Sequence, residues 1–65
     1  MRYEIRVDGE MSPTMTEAFP EWESRVMAGQ TVLFGQVTDA ERLYGLLTRF
    51  QSLGLRVVEM RRLPE

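Results

Sequence analysis

The sequence predicts a single small α+β domain of βαββαβ order, and three observations carry that prediction. Residues Met1 to Asp8 alternate strictly between apolar and charged. Two strand-like runs flank a short turn at Ala28, Gly29 and Gln30. The stretch from Asp39 to Leu53 is amphipathic at helical spacing, with capping residues at both ends.

Met1, Tyr3, Ile5 and Val7 fall on one side of the first segment and Arg2, Glu4, Arg6 and Asp8 on the other. That period of two marks a half-buried strand. Gly9 breaks the pattern, and Ser12 before Pro13 supplies an N-cap followed by proline in the first helical turn. A short first helix over roughly Pro13 to Phe19 follows, ended by Pro20.

Trp22 to Met27 and Thr31 to Val37 then read as a hairpin, with Gly29 taking the positive φ angle of its turn. Thr38 and Glu41 have capping-box spacing, with Asp39 beside the positive end of the helix. Ala40, Leu43, Leu46, Leu47 and Phe50 form one broad stripe on the helix, flanked by Tyr44 and Leu53. Gly54 suits a left-handed C-terminal cap, and Leu55 can fold back on the last turn. A final strand from about Arg56 to Leu63 completes a ferredoxin-like sandwich, a four-stranded antiparallel sheet with both helices on one face. The expected strand order is 4-1-3-2.

At 65 residues the chain has room for one domain, spanning 1–65, and one core. Burial and conformational entropy nearly cancel at this size, so self-association is the cheapest source of added stability. The chain has no Cys and no His, which leaves neither disulfides nor a structural zinc site to help it. It shows no apolar leader and no run long enough to cross a bilayer, so a cytoplasmic, non-membrane protein is expected. Eight basic against ten acidic residues give a net charge of −2, which disfavours nucleic acid as a partner. Every basic residue is Arg, a bias read here as genome composition.

The segment TVLFGQVTDAERLYGLLTRFQSLGLRVVEMRRL, with AFPEWESRV before it and YEIRVDG at the start, resembles a family of small stand-alone uncharacterised actinobacterial proteins. The likeness rests on turn, cap and core signals, so it implies the fold and no chemistry. The part from Val37 to Met60 is also similar to the strand, helix and strand opening of ACT regulatory domains, ferredoxin-like modules that often pair and bind amino acids. Where ACT loops commonly carry a glycine near the helix start, this chain has Thr38, Asp39, Ala40 and Glu41.

No constellation of residues points to catalysis. Acid–base chemistry near neutral pH leans on His, which is absent. Asp8 and Glu10 offer too few oxygens for a calcium cage and read as a solvated loop. The helix start at Gln36 to Glu41 could hold an anion in principle, but its own cap and Asp39 occupy and oppose that role. Arg56, Arg61 and Arg62 lie near Arg2 and Arg6, yet Glu4, Asp8 and Glu59 share those strands and no aromatic residue interleaves.

The expectation is therefore a non-enzymatic, self-associating interaction module, a homodimer or else bound to an unknown protein partner, without cofactor or metal. Its candidate interaction surface has two parts. One is the open face of the sheet, where Val32, Phe34 and Val57 would form an apolar strip rimmed by Glu4, Arg6 and Arg61. The other is Gly45, in mid-helix with Thr48 and Ser52 nearby, where a second backbone could approach. Trp22 and Met27 fit either the strip or the core. The alternative function is an ACT-like small-ligand sensor, with a ligand held between two domains near Asp8 to Ser12 and Gly35 to Asp39.

Overall fold

A computed structural model of the chain describes residues 1–64. Its elements are β1 (Arg2–Asp8), α1 (Pro13–Glu17), β2 (Glu23–Met27), β3 (Gln30–Gln36), α2 (Ala40–Ser52) and β4 (Val57–Leu63). The strands form one antiparallel sheet in the order β2-β3-β1-β4, the expected order read from the other edge. The architecture is the α+β, ferredoxin-like βαββαβ layout.

Alternation in β1 and β3 puts Ile5, Val7, Leu33 and Val37 on one face, with Ile5 opposite Leu33 in the ladder. Against them pack Leu43 and Phe50 of α2, together with Met11 and Phe19 from the segments flanking α1. The Phe19 and Phe50 rings meet with centroids 4.8 Å apart, a tilted contact that ties α1 to α2. Both helices therefore cover the same face.

Local chemistry explains the element ends. Ser12 Oγ accepts the Met15 N–H at 3.2 Å, and Pro13 occupies the first helical turn, as expected. The α2 cap differs from the expected box. Asp39, not Thr38, is the N-cap, and its Oδ1 accepts the Arg42 N–H at 2.9 Å. A carboxylate is a stronger acceptor than a hydroxyl, and with the cap moved one residue on, the third helical position holds Arg42, which cannot accept a bond in return. At the other end Gly54 has φ +75°, its N–H donates to Gln51 O at 3.0 Å, and Leu55 N–H donates to Phe50 O at 2.8 Å. These two bonds make a Schellman cap and turn Leu55 back onto the core.

Between β1 and α1 the chain is pinned by Thr31, which is fully buried. Its hydroxyl donates to Gly9 O at 3.0 Å and accepts the Met11 N–H at 2.8 Å, so a buried polar group is satisfied on both counts.

Candidate functional site

The expected apolar strip on the open face is not continuous, because one of its three members is covered and another turns to the opposite face. Val32 does point away from the helices, but it is only 2% exposed. Its ladder partners are Arg6 on β1 and Arg25 on β2, whose long aliphatic stems are the neighbours available to cover it. Phe34 is half-buried between Glu4 and Glu23. Val57 faces the other way and packs against the core.

The cause of the Val57 reversal is a register shift between Arg6 and Val7. Arg6 stands opposite Glu59 while Val7 stands opposite Val57, so Val58 is an extra residue on β4. Such a bulge inverts the in–out alternation beyond it. Val57 turns inward and Val58 is left exposed.

Charge organises the rest of that face. The Glu4 side chain is only 6% exposed, and its Oε2 lies 3.3 Å from Arg61 Nη2 and 3.6 Å from Arg6 Nε. In the ladder Glu4 stands opposite Arg61, and Arg6 opposite Glu59. The two strands thus carry a small checkerboard of alternating sign, and Arg6 and Arg61 are engaged in it rather than free for a phosphate backbone.

Gly45 is exposed, and a β-carbon built there would meet nothing within 4 Å. It borders an open cleft between α2 and the Phe19 to Trp22 segment, with Arg42 and Arg49 on the same helix face. Arg49 is already committed, donating to Ala18 O at 2.8 Å and lying 4.8 Å above the Phe19 ring. Thr48 and Ser52 bond back to the carbonyls of Tyr44 and Thr48, which uses their hydroxyls within the helix.

The two loops expected to share a ligand are held apart. Asp8 pairs with Gln30 at one end of the sheet and Arg2 with Gln36 at the other, so Asp8 to Ser12 and Gly35 to Asp39 sit at opposite ends of β1. A ligand touching both would therefore have to lie between two copies, one loop coming from each. Glu10 Oε2 is 3.4 Å from the Gly29 N–H, on its own side of the molecule. Among the described residues no three His, Cys, Asp or Glu side chains converge as a metal ion would require.

Trp22 belongs to the core and Met27 to the surface. Trp22 packs against the buried cluster with its ring over Gly35, while Met27 is 54% exposed at the end of β2.

What sequence reasoning missed is the free edge of β4. Val58 and Met60 are 45% and 42% exposed there. Met60 lies opposite Ile5 and so on the helix side, but at the rim of the sheet. The one signal for this was the Val57–Val58 doublet, which breaks strand alternation.

No helix among the described residues is long and apolar enough to cross a membrane. A family model described as a domain of unknown function (DUF8691) matches residues 2–61. Neither an actinobacterial origin nor an ACT kinship is part of that match. No curated protein and no solved structure matches the chain.

Proposed function

The chain belongs to the DUF8691 family, and on that footing we propose that it is a non-enzymatic interaction module that associates with copies of itself through a sheet edge. The observation that carries this reading is the outer side of β4, a seven-residue strand bonded, among the described residues, to β1 on one side only. An edge strand presents unpaired N–H and C=O groups as a template for another strand. Here two exposed apolar side chains, Val58 and Met60, accompany them. The small size of the domain supports the same reading, because added strand pairing stabilises a core that is marginal alone. The resemblance to small stand-alone actinobacterial proteins, and to ACT modules that often pair, is in keeping with it.

Mass action supplies the test. If folding is coupled to association, the melting temperature rises with protein concentration. A melting temperature that does not move over a hundredfold range, with a monomer in sedimentation throughout, contradicts the proposal.

A further inference from the structure

We propose that two copies of this chain pair antiparallel along β4 about a twofold axis at Met60, joining their sheets into one. The inference rests on the self-association reading and specifies its geometry.

Residues directly opposite each other in a sheet share a face. On β4, Glu59 and Arg61 lie on the open face, opposite Arg6 and Glu4, while Met60 lies on the helix side, opposite Ile5. For both copies to keep their helices on the same side, each pair must join residues of the same face. The axis therefore passes through a residue and not between two.

Charge then selects which residue. An axis at Glu59 sets that carboxylate against its own copy, and an axis at Arg61 or Arg62 does the same with guanidinium groups. An axis at Val58 falls in the bulge, where the ladder is irregular. An axis at Val57 or Leu63, the ends of the strand, would leave almost no overlap, so Met60 alone is free of these faults. It is also the central residue of β4, so the regular stretch of the strand on either side of it pairs, and only the end residues Val57 and Leu63, which the bulge puts on different faces, stay outside the ladder. Met60 then packs against Met60 of the second copy, and Glu59 lies opposite Arg61 of the second copy on both sides of the axis.

The charges already present within one chain extend the match. Glu4 is paired with Arg61, and Arg6 stands opposite Glu59. Across the joined sheets the rows read Glu4, Arg61, then Glu59 and Arg6 of the second copy, alternating in sign from β1 to β1. The other free edge lacks this property. The centre of β2 is Arg25, and full-length antiparallel self-pairing would set Arg25 against itself. Pairing through β4 alone uses the same patch on both copies and closes as a dimer instead of growing into a filament.

Because the chain has no Cys, single cysteines report the contact cleanly. On the proposed axis, Met60→Cys meets its own copy and forms a disulfide-linked dimer under mild oxidation. Met27→Cys, somewhat more exposed on the β2 edge, serves as the collision control and crosslinks at least about tenfold more slowly. In parallel, Met60→Lys places two like charges on the axis and weakens dimerisation about tenfold or more, while circular dichroism confirms that the variant is folded. If the parent dimerises in sedimentation but Met60→Cys crosslinks no faster than Met27→Cys, the β4 interface is wrong and self-association stands. If the parent is a monomer at every concentration, both readings fall.

Discussion

A β-carbon on Gly35 would lie 2.5 Å from Cδ2 of Trp22 and 2.8 Å from Cε2 and Cε3. The neighbour is an indole ring seated on the core, not the loose end of a flexible chain, so the ring must move. Gly35→Ala is expected to cost about 1–3 kcal/mol through overpacking. At about 4–8 °C per kcal/mol for a domain of this size, that is an easily measured fall in melting temperature, and Trp22 emission should shift to the red as the ring is pushed toward water. Gly45 is the opposite case, a helical glycine with open space where its β-carbon would be. Gly45→Ala should stabilise the domain by about 0.5–1 kcal/mol with unchanged assembly, because the proposed dimer contact lies on β4 and not on this helix face. At this scale the sequence was only partly legible. Composition showed that Gly45 is out of place in a helix, but nothing local to Gly35 or Trp22 says that the two meet, because their contact depends on how the turn after α1 folds back over β3.

At the scale of elements, α2 shows where periodicity is sufficient and where it is not. The 3.6-residue pattern assigned the stripe correctly in kind, and Leu43 and Phe50 are buried at 8% and 1% exposure. Leu46 and Leu47 are only half-buried, and Ala40 is exposed, because a helix over a twisted sheet contacts it most closely along one line. Leu43→Ala is therefore expected to cost about 2–5 kcal/mol, enough to unfold much of a marginal domain, with Leu47→Ala costing clearly less. Thermal melts of the two variants check this, and equal losses would mean that the two leucines share one degree of burial. The cap of α1, the C-terminal cap at Gly54, the turns and the strand order were readable, since each depends on a few adjacent residues or on short connections. The N-cap was misplaced by one position because Thr38 and Asp39 are both good caps and the choice is made by where β3 ends. The bulge at Val58 was not readable in direction. A Val–Val doublet announces broken alternation, but which valine turns inward is fixed by the pairing with β1, and that ambiguity put Val57 on the expected strip in place of an exposed Val58 at the rim.

For the whole molecule, the decisive asymmetry is between the two free edges of the sheet. Both edges carry exposed apolar side chains, Val26 and Met27 on β2 and Val58 and Met60 on β4, but β2 is shorter with Arg25 at its centre, whereas β4 is longer and has a charge order complementary to itself. The open face between them offers less apolar surface, with Val32 buried, Phe34 half-buried and Glu4 held between two arginines. Amide hydrogen exchange followed as a function of concentration tests this account most directly, because it reads each edge separately. The account predicts that the outward-facing amides of β4, around Met60, become protected as concentration rises through the dimerisation range, while those of β2 exchange at the same rate throughout. Protection appearing on β2, or β4 amides that still exchange freely where sedimentation records a dimer, would contradict it.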